Sequence, residues 1–244
     1  MLYLLLHIAI VSACVLRILL RKHRQPESRM AWLVVVATVP YVGVIAYLLL
    51  GETNIGRARA GRLANALRQL VPPGDAAGAM GPEQLPQCTE RFEPLFKVGL
   101  SISGYPPVGG NRAQLMKDAD AAIDAMVADI DAARHHVHLV FYIWLDDGNG
   151  NKVADALMRA VRRGVTCRAM VDDLGSRDLV RSPLWAQMTA AGVQTARALV
   201  IGNPLLRIFK GRVDLRNHRK ILVIDNAIAY CGSQNCADAA FLPK

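Results

Sequence analysis

Met30–Leu50 runs without a single charged residue. About twenty apolar residues at a rise of ~1.5 Å each reach roughly 30 Å, the thickness of a bilayer core. A stretch of that length fits a membrane better than a buried core helix. Residues 1–20 are also apolar, apart from His7 and Arg17. No basic residue precedes them and no clear small-residue cleavage site follows, so a retained anchor is expected rather than a removable signal. The two runs predict a two-helix transmembrane hairpin over residues 1–52, with helices at about 2–20 and 30–50. Pro40 is tolerable there as a kink. In an alternative arrangement the first segment is interfacial, with Arg17 snorkelling to the headgroups.

Orientation is nearly balanced. Arg21, Lys22, Arg24 and Arg29 occupy the short loop, while Arg57, Arg59, Arg62 and Arg68 follow the second run. A multi-pass inner-membrane protein with its globular part in the cytoplasm is the expectation. The chain carries 29 Lys and Arg against 20 Asp and Glu, a net charge of +9. Such a balance suits an anionic partner, either nucleic acid or an anionic bilayer surface. The membrane segments favour lipid, and no nucleic acid is expected as a partner. Five cysteines (Cys14, Cys88, Cys167, Cys231 and Cys236) make an odd count with no CxxC pair. Buried or unpaired thiols are expected.

Residues 53–112 read as a basic, Pro- and Gly-rich linker. Within it, 57–70 forms either an arginine-rich helix lying on headgroups through Leu63, Ala66, Leu67 and Leu70, or a solvated helix leaving the membrane. Residues 71–90 read as flexible. A globular half-domain is expected over 113–244. Leu115, Met116, Ala119, Ile123, Met126, Val127 and Ile130 recur at helical spacing from about Gln114 to Arg134. His136–Trp144 alternates as a strand, Asn151–Arg163 returns to helix, and Gly164 stops it. Val165–Val171 and Val193–Val200 read as strands around a helix at Leu184–Ala191 closed by Gly192. Lys220–Ile224 and Ala227–Cys231 are two more strands, joined by the turn-prone pair Asp225-Asn226. Alternating strands and helices predict an α/β sandwich whose sheet is covered on both faces. No internal repeat is visible.

The chemistry concentrates in Asn217-His218-Arg219-Lys220-Ile221-Leu222-Val223-Ile224-Asp225, followed by Gly232-Ser233-Gln234-Asn235. Residues i and i+2 of a strand share a face, so His218 and Lys220 would enter one pocket, as would Ser233 and Asn235 if the next strand extends that far. A neutral imidazole can attack phosphorus, and the resulting phosphohistidine divides one hard displacement into two easier ones. Lys220 offers a point charge to a phosphate oxygen, while Ser233 and Asn235 add donors where charge spreads. His218, Lys220 and Asp225 are the candidate catalytic residues; Lys220, Ser233 and Asn235 are the candidate phosphate-binding group. No metal or cofactor is expected. Asp225 lies an odd number of residues from His218, which favours a structural role at the turn. The carboxylate that would orient the His218 ring is either Asp238 or a residue beyond Lys244. His136-x-His138 puts two imidazoles on one strand face but has no third ligand in view, Asp146–Gly150 lacks calcium-loop spacing, and both read as structural; Asp172 reads as a strand-end residue near the pocket mouth.

At these positions the sequence resembles the phospholipase D superfamily, marked by His-x-Lys-x4-Asp and Gly-[Gly/Ser]-x-Asn. Within it the likeness is to bacterial cardiolipin synthases. It extends to Ala31-Trp32-Leu33, Pro40-Tyr41 and Leu48–Gly51 in the second apolar run. In the globular half it covers Phe141-Tyr142-Ile143-Trp144, Gly164-Val165, Arg168, and Asp172 with Gly175-Ser176. The resemblance implies a phospholipase D-like α/β/α sandwich half-domain behind the membrane hairpin. It also implies phosphatidyl transfer through a phosphohistidine, with phosphatidylglycerol giving cardiolipin plus glycerol, or phosphatidylethanolamine as the other donor. Such synthases carry two copies of the motif, one histidine attacking and the other serving as acid and then base. Only one copy stands here. The second is expected from the same longer chain or from a homodimer mate. A membrane-anchored phospholipase D, a homodimeric nuclease and a non-catalytic truncated membrane protein are the alternative functions.

Overall fold

The computed structural model describes residues 1–21, 25–51, 61, 64–66, 68–69, 90–107, 109–200 and 216–241. The chain divides into two units, one made of Met1–Gly56 with Asp118–Lys244 and the other of Arg57–Lys117.

In the first unit, helix α1 covers Leu2–Leu20, matching the first apolar run. The second run is divided. Helix α2 (Pro26–Thr38) ends where Val39 leaves helical geometry, α3 (Pro40–Ala46) restarts with Pro40 in its first turn, and a π turn closes at Tyr47–Gly51. Proline lacks an N–H and fixes its own φ, so it is accepted at a helix start and breaks a helix interior. The expected kink is therefore a full interruption. Among the described residues no helix is long and apolar enough to cross a membrane. The segments still pair: Cys14 and Ile18 bury against Val36 and Tyr47. His7 meets Tyr41 edge-on at 5.2 Å, and Trp32 meets Tyr47 at 5.6 Å. Tyr3, Leu5, Ile8, Leu20, Val34, Val42, Ile45 and Leu48 point outward and are exposed.

The rest of this unit is built on a five-stranded mixed sheet in the order β3-β2-β1-β4-β5. Strands β1 (His136–Phe141), β2 (Thr166–Asp172) and β3 (Gln194–Ala198) run parallel, while β4 (Ile221–Ile224) lies antiparallel to β1 and β5 (Ile228–Cys231) to β4. Val137, Leu139 and Phe141 alternate inward with Cys167, Ala169, Val171, Leu222 and Ile224, forming one apolar face. Ile123, Met126 and Ile130 of one helix, Val153 and Leu157 of another, and Leu184 and Met188 of a third complete that core. Each such aliphatic side chain contributes about 1.5–3 kcal/mol on burial. The opposite face, carrying His136, His138, Val140, Arg168 and Met170, is partly to fully exposed. The expected cover on both faces is thus corrected for the described residues: the helices of this unit's core pack on one face only.

The helix boundaries are set by capping carboxylates. The first core helix begins at Ala119, not near Gln114, because the Asp118 side chain accepts from the Ala121 N–H at 2.8 Å; Leu115 is left 98% exposed. The next, Gly148–Arg162, starts earlier than expected because Asp147 accepts from the Gly150 N–H at 2.9 Å. Gly164, at φ 89°, ends it as expected. A short helix at Arg177–Arg181 was not anticipated, and Pro183–Ala190 falls within one residue of the sequence reading. In the second unit the stretch read as linker contains a helix at Glu93–Ser103, preceded by a 3-10 turn and ended by Gly104 at φ 75°. None of this helix's residues is buried. Most of the arginine-rich segment 57–70, residues 71–89 including Cys88, and residues 242–244 lie outside the described residues.

Candidate functional site

The extended segment Arg216–Lys220 leads into β4 and passes the C-terminal end of β1. In α/β sheets this end of the strands is where ligands gather, because the loops there can aim side chains without disturbing the ladder. The imidazole of His218 stacks on the ring of Tyr142, with centroids 3.9 Å apart and planes 24° from parallel. The ammonium of Lys220 lies 5.4 Å from the centroid of the same ring, and its Nζ donates to the His218 carbonyl at 2.9 Å. The two side chains two residues apart therefore meet at one aromatic surface, as strand alternation predicts. His218 is exposed and Lys220 half-buried, so both are open to a phosphate. An open depression beside them is lined by Ala198, Leu199, Arg216, Asn217, His218 and Arg219.

Asn235 joins this group. Its Oδ1 accepts from the Ile143 N–H at 3.4 Å, one residue past Tyr142. The neighbouring Cys236 bridges to Trp144, with Leu145 N–H donating to the Cys236 carbonyl at 3.0 Å and Cys236 N–H donating to the Ile143 carbonyl at 3.1 Å. Ser233 is exposed in the loop just before.

Asp225 is not brought to these residues. It sits at the far end of β4, at φ 50° in the turn to β5, beside the start of β1. Its carboxylate accepts from the backbone N–H groups of Arg134 (2.8 Å), His135 (2.9 Å) and His136 (2.8 Å). These bonds, that of His136 foremost, lower its pKa to about 2. The candidate catalytic set is thereby divided, and the structural role expected of Asp225 at the turn matches this geometry. Asp238, weighed as the carboxylate orienting His218, is engaged elsewhere: it accepts from Asn149 N–H at 2.7 Å and Gly148 N–H at 3.2 Å, at a helix start. That location satisfies free amides and complements the helix dipole.

The support of the stack comes from Asp172, which the sequence placed near the pocket mouth, and from Arg216, which it did not single out. Asp172 is fully buried and paired with Arg216, their side chains 0% and 3% exposed, at 2.6 Å. Its Oδ1 also accepts from Arg216 Nε at 2.9 Å, Leu174 N–H at 3.0 Å and Gly175 N–H at 3.1 Å, and its Oδ2 from Asn217 N–H at 3.1 Å. Ser176 Oγ donates to the Tyr142 carbonyl at 3.0 Å and accepts from Trp144 N–H at 2.9 Å. Arg216 stands two residues before His218, and Tyr142 is the first residue past β1; no local spacing pointed to Arg216 or to its pairing with Asp172.

His136 and His138 face each other edge-on at 4.9 Å, His136 bonded to Asn226 and His138 to Arg168. Burial, with Arg168 and His136 nearby, lowers the His138 pKa. No group of three or more His, Cys, Asp or Glu is placed to hold a metal among the described residues.

Residues 126–244 match the family described as "Cardiolipin synthase, PLD-like domain", and residues 9–52 match "Phospholipase_D-nuclease N-terminal". Both matched segments are similar to phospholipase D-like proteins. The site residues all fall within the first match. Two curated proteins named cardiolipin synthase A, from Escherichia fergusonii and Salmonella arizonae, are each 40% identical over 243 residues, covering 96% of this chain and 48% of the relative. The chain thus spans about half the length of these relatives. A solved phospholipase D family member, Nuc from Salmonella typhimurium, is 20% identical at a TM-score of 0.36, covering 48% of this chain and 66% of that one. That likeness is too remote to bear on the details of the site.

Proposed function

We propose that this chain is the first catalytic half of a cardiolipin synthase, held at the membrane by its N-terminal helices. The observation that carries the reading is the convergence of His218 and Lys220 on Tyr142, with Asn235 tied to the adjacent Ile143. The 40% identity to cardiolipin synthase A supports the choice of substrate.

A ring nitrogen of His218 donates its lone pair to the phosphorus of phosphatidylglycerol. The P–O bond to the headgroup glycerol breaks as an acid protonates that oxygen, and free glycerol leaves. Lys220 and Asn235 stabilise the charge on the non-bridging oxygens, with Ser233 as a further donor. The terminal hydroxyl of a second phosphatidylglycerol, losing its proton to the same acid–base group, then attacks the phosphohistidine. Cardiolipin forms and the imidazole is released. The acid–base histidine comes from a second motif-bearing half, either in a longer chain or in a homodimer mate. Asp225 holds the β4–β5 turn against β1 and takes no part in proton transfer.

The outward-facing Tyr3, Leu5, Leu20, Val42 and Leu48 support a hairpin seated in the bilayer. The positive charge of the chain suits anionic lipid. The inner membrane, with the catalytic part cytoplasmic, is the location this reading takes.

Detergent-solubilised protein joined to its second motif-bearing half and given phosphatidylglycerol tests the assignment. Cardiolipin with stoichiometric glycerol is the expected result. Phosphatidic acid alone would instead make it a hydrolase, and cleavage of single-stranded DNA a nuclease. Absence of any phosphate on His218 would leave a non-catalytic membrane protein.

A further inference from the structure

A nucleophilic imidazole must be held in one orientation, because a ring that turns freely loses that freedom at the transition state. Neither Asp225 nor Asp238 reaches His218. Both rings of the stack are instead tied to one five-residue turn, Asp172–Ser176.

On the His218 side, the Asp172 carboxylate takes both Nε and Nη2 of Arg216 and also the backbone N–H of Asn217, the residue directly before His218. Arg216 Nη1 donates to the Leu199 carbonyl at 3.1 Å, so the incoming segment is fixed to the ends of β2 and β3 together. On the Tyr142 side, Ser176 Oγ holds the Tyr142 carbonyl, and Gly175 packs beneath the residue. A Cβ at Gly175 would stand 2.4 Å from the Tyr142 carbonyl oxygen and 2.8 Å from ring carbon Cε2. The turn itself is folded by the same carboxylate, through the Leu174 and Gly175 N–H groups.

We infer that Asp172 is a positioning residue for His218, acting through Arg216 and the Asn217 amide, and that its turn sets the two stacked rings against each other. This rests on the reading of His218 as the nucleophile. The stack closes one flat side of the imidazole and leaves its edge nitrogens free for in-line attack. Asp172 touches no reacting atom. Removing its charge alone would strand a buried guanidinium, so the informative variant replaces both partners: Asp172→Asn with Arg216→Met.

The test uses the full chain in detergent micelles with 13C-labelled histidine, His218 being assigned by its loss in His218→Gln. In the wild type the His218 ring protons should be shifted upfield by the Tyr142 ring. Tyr142→Phe keeps that shift and Tyr142→Leu abolishes it. The double variant should lose the shift, and phosphohistidine formation from short-chain phosphatidylglycerol should fall about 100-fold, the scale of a ~1 Å misplacement. If the double variant fails to fold, Arg216→Lys, which keeps the charge but not the fork, should lose part of both signals. A folded double variant with an unchanged His218 shift would overturn the inference. Loss of the shift in a protein that never forms phosphohistidine would uphold the positioning and sink the nucleophile assignment instead.

Discussion

His218 lies face to face with Tyr142 at 3.9 Å, and Lys220 approaches the same phenol ring. An aromatic residue thus organises a pair of polar side chains that would otherwise swing freely on an exposed segment. Aromatic pairs are worth about 0.5–1.5 kcal/mol. Tyr142→Leu should therefore lower kcat/KM for phosphatidyl transfer by about 3- to 10-fold. Tyr142→Phe, which keeps the stacked face, should stay near wild type. Initial rates of cardiolipin formation with the three proteins check this.

Lys220 carries charge as well as position. Lys220→Met should cost about 100- to 1,000-fold in kcat, the range seen when one donor to a developing anion is deleted. Lys220→Arg should recover part of that loss, since the charge returns with a different geometry. His218→Ala should leave neither turnover nor 31P signal from a phosphoramidate.

Asp225 yields a prediction about pH. Backbone N–H groups, His136 and Arg134 first, hold its carboxyl at about 2, below the ordinary carboxylate value near 4. The folded state therefore favours the ionised form. That stabilisation is complete above about pH 4 and is lost as pH falls toward 2. Asp225→Asn should melt lower at neutral pH, and its melting temperature should decline less than that of the wild type between pH 4 and 2. Equal slopes would show that the three amide bonds do not couple to folding.

Gly150 sits where a side chain has no room: an added Cβ would come within 1.8 Å of the Leu145 carbonyl oxygen. Its own carbonyl accepts from Trp144 Nε1 at 3.0 Å, beneath a fully buried indole. Gly150→Ala should destabilise the fold by about 1–3 kcal/mol, as overpacking does, and urea titration followed by Trp fluorescence measures it.

Asp238→Ala separates two roles. If the carboxylate serves only the Gly148 and Asn149 amides, the variant should lose about 1 kcal/mol of stability, as when a capping side chain is removed. Phosphohistidine formation on the fraction that remains folded should be unchanged. A selective loss of that reaction would return Asp238 to the site.

Regular elements of the globular half were legible because their periodicity is strong: Val137, Leu139 and Phe141 announce β1, and Val153 and Leu157 the helix that covers it. The pairing of His218 with Lys220 was legible for the same reason, since it needs only two-residue alternation. Three features were not. Pro40 looked like a kink because sequence does not reveal that Val39 abandons helical geometry before it. The exposed helix at Glu93–Ser103 was hidden among Pro and Gly neighbours. The Asp172–Arg216 pair joins residues 44 positions apart, and no local spacing encodes a contact between the end of β2 and the segment that leads into β4.

The distant placement of Asp225 has a bearing on how such signatures age. Its three amide bonds serve the folding of the sheet whether or not any phosphate is ever transferred. In a duplicated copy released from chemical duty, the histidine and lysine would be free to drift, while the aspartate would still be demanded by the architecture. A surviving aspartate with its two companions gone would then mark a relic scaffold, not a working enzyme.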